Sequence, residues 1–254
     1  MSSSGRSRVS IVPVLALATP AAAGHVLSAR VARCATCLGR WQSICATLPI
    51  DAQHDMARAG RLRRLRRGEV LSWEDDVAYD VANVRDGALK LTASLRDGRE
   101  QIVGVAWPGA FVGELFAERS PYCLTALTSA TVCLFRKSDI DRLIAEHPAL
   151  TRALLQSLSR DLDGARRSIL TLGRKTADER VATLLIDMRR TATCDCNGLA
   201  QMPLGRQQMA DLLGLTIETV SRKIRRFERA GVIELEGTRL FRVLDEVGLA
   251  RLAG

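Results

Sequence analysis

A helix-turn-helix pattern near the C-terminus constrains this chain more than any other sequence feature. The pattern covers residues 205–229. One face of its first helix is lined by Met209, Leu212 and Leu213. Gly214 follows, and glycine permits the left-handed backbone that a tight turn between two helices requires. The sequence therefore predicts two short helices packed at a fixed angle.

The second helix of this pattern has an apolar inner face and a polar outer face. The inner face carries Val220, Ile224 and Phe227, at spacings of four and three residues. Five basic residues against two acidic ones give the helix a net charge of +3, which suits contact with phosphates. The side chains expected to contact base edges or phosphates are Thr216, Glu218, Thr219, Ser221, Arg222, Lys223 and Arg225.

Three residues near the start of this helix have the chemistry of base recognition. Glu218, Ser221 and Arg222 share one face, at positions i, i+3 and i+4. Arginine pairs with O6 and N7 of guanine, glutamate accepts from N4 of cytosine, and serine is adaptable. A surface ion pair between Glu218 and Arg222 is the plain alternative. The strand, turn and strand predicted over 231–243 complete a winged helix-turn-helix, which favours binding to double-stranded DNA.

The segment from residue 62 to residue 135 has the residue pattern of short β-strands. Short apolar runs alternate with turn residues about every ten positions, a pattern typical of an antiparallel sandwich or barrel. The clearest predicted strands are 81–84, 89–95 and 101–105. Helical periodicity begins after this segment, first as a short helix over 138–146.

An uninterrupted helix is predicted over residues 149–172. Its apolar residues recur at spacings of four and three, as in the a/d seam of a coiled coil. A stripe packed against its own domain is the commoner cause of such a pattern. The narrow stripe and the position between two domains favour a dimer contact. The seam consists of Leu158, Leu162, Ala165, Ile169 and Leu172.

Three cysteines form a group near the N-terminus, Cys34, Cys37 and Cys45, in the order C-x2-C-x7-C. Thiolates at such spacing can converge on zinc or on an iron–sulfur cluster. A structural zinc site would usually add a second close pair, which is missing here, so the spacing favours a cluster. Scattered buried cysteines are the alternative, and it fits this group poorly. A fourth ligand must come from Cys123, Cys133, Cys194 or Cys196.

The amino-acid composition is that of a globular protein and not of a disordered one. Hydrophobic residues make up 47% of the chain, enough for a core and too many for a disordered protein. The net charge of +9 lies entirely in residues 1–67, where eleven arginines face two aspartates. The first thirty residues mimic a signal peptide, but Pro13 and Pro20 interrupt the apolar run. We expect residues 1–30 to be a disordered or mis-called extension.

No sequence feature indicates catalysis or a membrane segment. The chain has neither a nucleophile–base pair nor a phosphate-binding glycine loop, and its histidines, His25, His54 and His147, lie in unrelated contexts. No run of eighteen apolar residues exists, so no membrane-spanning helix is expected. We therefore predict a protein that is not an enzyme, has no membrane contact and works in the cytoplasm.

From Cys34 to its end, the chain resembles the CRP/FNR superfamily of bacterial transcription regulators, and within it the FNR type. The resemblance implies an α+β fold with an N-terminal antiparallel β-roll like that of cyclic-nucleotide-binding domains (a jelly roll). A long dimerisation helix and a C-terminal winged helix-turn-helix follow. The matching passages are residues 67–71, 86–90, 97–102, 108–114 and the E-x-x-S-R motif within 216–222. The implied domains are 31–146 (cysteine segment and β-roll), 147–172 (dimerisation helix) and 173–254 (winged helix-turn-helix).

The FNR-type resemblance also implies a cofactor, partners and a DNA site. The N-terminal cysteines and Cys133, with Cys123 as a spectator, would hold an oxygen-labile [4Fe–4S] cluster that controls dimerisation. The partners would be a second copy of the chain, RNA polymerase and a TTGAT-N4-ATCAA-like palindrome. Half-sites would lie about 10–10.5 bp apart.

Two alternatives remain at this stage. A cyclic-nucleotide-responsive regulator of the same superfamily would use Glu114, Arg119 and Ser120, although Pro121 removes one amide donor. From another class, an iron–sulfur electron carrier would use the cysteines. Such a carrier would leave the helix-turn-helix unexplained.

Overall fold

The computed structural model describes Cys34, Cys37, residues 42–191 and residues 198–254. The predicted extension, residues 1–30, lies outside the described residues, as do Cys194 and Cys196. Within the described ranges, no helix has both the length and the apolar character needed to cross a bilayer.

The N-terminal domain is a β-roll of two four-stranded antiparallel sheets. One sheet has the strand order β1-β8-β3-β6 and the other the order β2-β7-β4-β5. All three strands that the sequence predicted most clearly are present, as β3, β4 and β5. The strands are β1 (Arg61–Leu65), β2 (Val70–Ser72), β3 (Asp80–Asp86), β4 (Leu89–Ser94), β5 (Glu100–Ala106), β6 (Phe111–Val112), β7 (Cys123–Ala126) and β8 (Ala130–Arg136).

Apolar side chains from the facing strands of the two sheets form the core of the roll. Val84, Leu89 and Val132 are fully buried there, joined by Leu65 and Leu124. In β4 and β8, buried residues are interspersed with more exposed ones, whereas β3 has four consecutive buried residues. The short apolar runs that predicted strands therefore supply the residues of this core.

A second core joins the roll to the helices that flank it. A 3₁₀ turn (Ile44–Thr47) and helix α1 (Ile50–Ala59) precede the roll, and α2 (Lys137–Glu146) and α3 (Pro148–Arg174) follow it. Pro148 begins α3, where proline costs no hydrogen bond. The buried residues of this core are Ile44, Leu48, Ala52, Met56, Val81, Phe135, Ile140, Leu143, Leu150, Ala153 and Leu154.

The C-terminal domain is a winged helix-turn-helix. A three-stranded antiparallel sheet of order β10-β11-β9 forms the wing, and its first strand in the chain, β9, was not predicted. The core is centred on Met188, Leu204, Met209, Ile224 and Phe227, all nearly fully buried. The elements are α4 (Ala177–Thr191), β9 (Ala200–Gln201), α5 (Arg206–Leu213), α6 (Ile217–Arg229), β10 (Ile233–Glu236), β11 (Leu240–Val243) and α7 (Glu246–Ala253).

The two domains also touch each other directly. Ala88 and Leu127 of the roll are buried together with the core of the C-terminal domain. The side-chain amide of Gln101 in β5 donates a hydrogen bond to the carbonyl of Asp211 in α5. The first helix of the helix-turn-helix therefore rests on the roll.

The turn between β3 and β4 gives a stability prediction. Gly87 has φ +77°, and a Cβ added there would lie 2.5 Å from the carbonyl oxygen of Ser129. Gly98 has φ +85°, with no atom within 4 Å of an added Cβ. We expect Gly98→Ala to lower the free energy of unfolding by about 1–2 kcal/mol, because alanine is strained at this positive φ. Gly87→Ala should lower the free energy of unfolding by about 3 kcal/mol or more, because a clash adds to the same strain.

Urea unfolding of the two variants beside the parent chain measures this difference. Gly98→Ala is the matched control, since it changes the same residue type at a similar φ. Equal losses of stability in the two variants would contradict the predicted clash.

Candidate metal centre and nucleic-acid interface

Four of the predicted ligands surround one cavity between the 3₁₀ turn and the roll. Cys34, Cys37, Cys45 and Cys133 all line it. The five cysteines of the described ranges form no disulfide bond. Cys123 lies on β7 in the opposite sheet, where its Sγ is 3.6 Å from Oγ1 of Thr125. The structure thus brings together the predicted set and separates the predicted spectator from it.

Local structure explains how two of these thiols reach the cavity. Ser43 caps the 3₁₀ turn, its Oγ accepting a hydrogen bond from the backbone N–H of Cys45 at 3.2 Å. Cys133 lies in β8, in register with Leu62 of β1 and Asn83 of β3. The side-chain amide of Asn83 is 4.0 Å from Sγ of Cys45. Strand pairing therefore sets the position of one thiol and a capped turn sets that of the other.

The cavity disfavours charge on its deepest thiol. Burial, with smaller contributions from the nearby thiols of Cys37, Cys45 and Cys34, raises the pKa of Cys133 to about 12, and Arg85 partly opposes this shift. Without a cation the thiol is therefore protonated at neutral pH. A metal bound to several thiolates would reverse this preference, because coordination deprotonates the thiol.

The spacing of the thiols distinguishes two kinds of metal centre. Tetrahedral zinc with Zn–S bonds of about 2.3 Å places its sulfurs about 3.8 Å apart. Among the described residues, no three cysteine sulfurs lie within 4.8 Å of one another. A cubane cluster places its ligands farther apart, because each sulfur binds a different iron. Four thiols around one cavity provide the number of ligands that a [4Fe–4S] cluster requires.

The helix-turn-helix has the local geometry that the sequence predicted. Gly214 ends α5 in the left-handed conformation, with φ 61° and ψ 43°. Thr216 caps α6, its hydroxyl accepting a hydrogen bond from the backbone N–H of Thr219 at 3.2 Å. Val220, Ile224 and Phe227 are buried, so the opposite face of α6 points to solvent.

The predicted base-reading residues lie on this open face. Glu218 and Arg222 are exposed and Ser221 is half-buried. The pKa of Glu218 is lowered by a hydrogen bond from its own backbone N–H and by another from the hydroxyl of Thr216. A charged glutamate and an arginine one turn apart thus present an acceptor and a donor on the same surface. Arg225, expected to contact phosphate, is also exposed.

Lys223 occupies a different position from the other predicted contacts. Its Nζ lies 2.6 Å from Oδ2 of Asp178 in α4, and its side chain is only 19% exposed. Arg226 binds the other oxygen of the same carboxylate at 3.1 Å. These ion pairs attach the recognition helix to α4. Sequence reasoning missed Asp178, because it lies 45 positions before Lys223 and belongs to no motif.

Two of the three alternative effector residues donate hydrogen bonds to backbone carbonyls of the protein. Nη1 of Arg119 donates to the carbonyl of Asp75 at 2.6 Å, and the buried hydroxyl of Ser120 donates to the carbonyl of Tyr122 at 2.8 Å. The side chain of Glu114 is partly buried. The groups that would hold a cyclic phosphate are thus turned toward backbone carbonyls.

The predicted seam of α3 is exposed along its length. Leu158 is 54% exposed and Ile169 is 71% exposed, an unusual state for large aliphatic residues. Leu155, 62% exposed, extends the seam by one step at the same spacing, and the sequence prediction had omitted it. An apolar stripe of this length fits the partner-facing side of a helix.

These features define a class, a DNA-binding regulator in which a long helix joins a β-roll to a winged helix-turn-helix. Residues 179–252 match the family described as "Crp-like helix-turn-helix domain". Residues 62–147 match the "Cyclic nucleotide-binding domain" family. The chain belongs to the CRP/FNR family of transcription regulators, as the following relatives show.

Two curated relatives and one solved structure cover most of the chain. The transcriptional activator protein FnrL of Cereibacter sphaeroides is 36% identical over 91% of this chain and 95% of its own length. The nitrogen fixation regulation protein FixK of Bradyrhizobium diazoefficiens is 37% identical over 80% of this chain and 86% of its own. The structure of FixK2 from Bradyrhizobium japonicum matches 77% of this chain and 98% of that one, with TM-score 0.71 and 30% identity.

The protonated state of Cys133 can be tested by alkylation. Thiolates, not thiols, react with iodoacetamide, and the pKa of about 12 leaves few thiolates at Cys133 at pH 8. In metal-free protein at pH 8 we expect Cys133 to be alkylated on the order of a hundredfold more slowly than in the same protein unfolded in urea. The rate at Cys133 should rise as the pH approaches 12. Mass spectrometry of timed samples measures the folded and the unfolded protein, and equal rates in the two would contradict the assigned environment.

Proposed function

We propose that this protein is an oxygen- or redox-responsive transcriptional activator of the FNR type. Cys34, Cys37, Cys45 and Cys133 would hold a [4Fe–4S] cluster. The observation that carries the proposal is the convergence of these four thiols on one cavity. The likeness to FnrL, which is described as a transcriptional activator protein, supports the activating role.

The residues of this chain would bind the cluster and connect it to the dimer helix. When bound, such a cluster supplies iron and sulfide that oxygen can attack, with a stability that depends on burial. Cys45 lies in the 3₁₀ turn, and the neighbouring Ile44 is buried in the same core as Leu150 and Leu154 of α3. Loss of the cluster would release the turn from β8 and so loosen the first turns of α3. The cluster would in this way favour one arrangement of the dimer seam.

A dimer formed along α3 would present two copies of α6 to DNA. The two-fold axis would require half-sites about one helical turn apart, as in a TTGAT-N4-ATCAA-like palindrome. Glu218, Ser221 and Arg222 would read base edges, while Arg225 would contact phosphate. RNA polymerase would be the further partner of an activator of this kind, and the cytoplasm its compartment.

The cyclic-nucleotide alternative receives less support from the contacts at its expected site. The guanidinium of Arg119 already donates to the carbonyl of Asp75, and the hydroxyl of Ser120 to that of Tyr122. A cyclic phosphate would need both groups to turn away from these partners. The four cysteines would remain unexplained in a nucleotide-responsive regulator.

Replacing one cysteine tests the ligand set. Cys133→Ser should abolish the visible charge-transfer absorbance of anaerobically purified protein, because serine is a poor ligand for iron in such clusters. Cys123→Ser is the matched control and should keep the absorbance, because it lies in the other sheet. Iron and sulfide should be present in equal amounts in the parent and should fall together with the absorbance in the first variant. Loss of the chromophore in the control and its retention in Cys133→Ser would refute the assignment.

A second variant tests the reading of DNA by α6. Arg222→Ala should weaken binding to the palindrome by about 1–3 kcal/mol and relax the preference at one base pair per half-site. Arg225→Ala is the comparison, since loss of a phosphate contact should weaken all sequences about equally. Anaerobic titration of fluorescent duplexes, with each position of the half-site varied in turn, measures both effects. A uniform loss for Arg222→Ala would show that Arg222 contacts phosphate only.

A further inference from the structure

A second group of metal-ligating side chains lies where α1 meets the corner between α2 and α3. Asp55 comes from α1, while Glu146 and His147 lie at the end of α2 and at the corner itself. One ligand atom from each of the three lies within 4.8 Å of the others. It is the one such group among the described residues. Neither the DNA-reading surface nor the cysteine cavity includes any of these side chains.

The imidazole of His147 is the centre of this group. Its side chain is 14% exposed, and its Nε2 lies 2.9 Å from Oδ2 of Asp55. Its other nitrogen, Nδ1, lies 3.8 Å from Oδ2 of Asp51, one helical turn before Asp55. The ring is therefore hydrogen-bonded to one carboxylate of α1 and lies near a second one. In metal sites, a carboxylate near the second ring nitrogen commonly orients the ligating imidazole.

Two exposed arginines near this group pair with its carboxylates. Arg58 contacts Oδ1 of Asp55 at 3.3 Å, so Oδ2 of that carboxylate is the oxygen that faces His147. Arg142 contacts Oε2 of Glu146 at 3.4 Å. Both arginines are more than half exposed and lie at the edges of the group. Such exposed ion pairs contribute little and can be exchanged for a metal ion.

We propose that Asp55, Glu146 and His147 bind a divalent transition-metal ion of the zinc class, with Asp51 orienting the imidazole. One imidazole and two carboxylates suit Zn²⁺ and its neighbours, whereas an imidazole ligand disfavours Mg²⁺ and Ca²⁺. With Zn–N and Zn–O bonds of about 2.0–2.1 Å, tetrahedral ligand atoms lie about 3.3 Å apart. The Glu146 side chain is exposed, so it is free of core packing that would fix its position.

The position of the site gives the ion a structural effect. The ion would join α1 to the corner at which α3 begins. The segment that carries Cys45 leads directly into α1. A bound ion would therefore hold this segment against the start of the long helix, whether or not the cysteine cavity is filled. The site is distinct from the proposed cluster site and does not depend on it.

Cobalt(II) is the probe that separates the two sites in the full-length chain under anaerobic conditions. Cobalt bound to thiolates gives intense near-ultraviolet charge-transfer bands, whereas cobalt bound to nitrogen and oxygen gives only weak visible bands. We expect the weak bands to appear during the titration in addition to any thiolate bands, Zn²⁺ to displace this cobalt, and excess Mg²⁺ to leave it in place. Asp55→Asn and His147→Gln should weaken this binding at least about tenfold.

Two further variants keep the test decisive. His54→Gln changes the histidine next to Asp55 on α1 and should bind cobalt as the parent does. Glu146→Gln alters an exposed side chain, so it should weaken binding even if the buried His147 variant fails to fold. Circular dichroism without metal checks the fold of each. Thiolate bands alone in the parent, or equal weak-band affinity in the parent, Glu146→Gln and Asp55→Asn, would overturn the proposal. Failure of the cluster hypothesis would instead appear as a visible absorbance that does not depend on Cys133, and it would leave the weak cobalt bands unchanged.

Discussion

The packing of the 3₁₀ turn against the start of α3 is the contact on which coupling between the two halves of the protein depends. Ile44 in that turn is 1% exposed and shares a core with Leu150 and Leu154. Cys45 and Cys133 pack against the edge of the same core. The hydrophobic effect therefore holds two of the four cavity thiols against a core that also includes the start of the long helix. Close-packed cores adjust in discrete steps, so a change at the thiols is expected to shift the helix as a unit.

The far end of α3 is connected to the helix-turn-helix by hydrogen bonds from one arginine. The guanidinium of Arg180 in α4 donates to the carbonyl of Leu172 at 2.6 Å and to that of Leu213 at 2.9 Å. Its Nε donates to the carbonyl of Lys175 at 2.9 Å. Leu172 belongs to the proposed dimer seam and Leu213 ends α5, just before the turn that leads to α6. A rotation of the end of α3 must therefore break these bonds or carry the turn with it. Arg180 thus connects α3 directly to the helix-turn-helix.

The parts of the structure that follow from local spacing were predictable, and the parts that follow from long-range pairing were not. The turn at Gly214 and the cap at Thr216 depend on neighbouring residues, so the sequence was enough to predict them. The place of Cys133 beside the N-terminal cysteines depends on its pairing with Leu62. Spacing alone left four candidates for the fourth ligand, and only the family resemblance chose among them. The Asp178 ion pairs and the contact of the roll with α5 are equally non-local and carry no periodic signal.

The net charge of +9 shows how a composition can mislead when the fold is not known. Its excess lies in the first 67 residues, yet Arg61 pairs with Asp80 at 3.4 Å and Arg63 with Glu69 at 3.3 Å. These arginines of β1 are paired with nearby acids, so they add little to a general attraction for phosphate. The charge of Arg67 reaches the wing. It lowers the pKa of Arg239 there, although burial of Arg239 is the larger cause of that shift. The proposed recognition of DNA therefore rests on the geometry of α6 rather than on the net charge of the chain. Four thiolates in the cysteine cavity would bring negative charge to the site, and nearby arginines such as Arg85 would offset it.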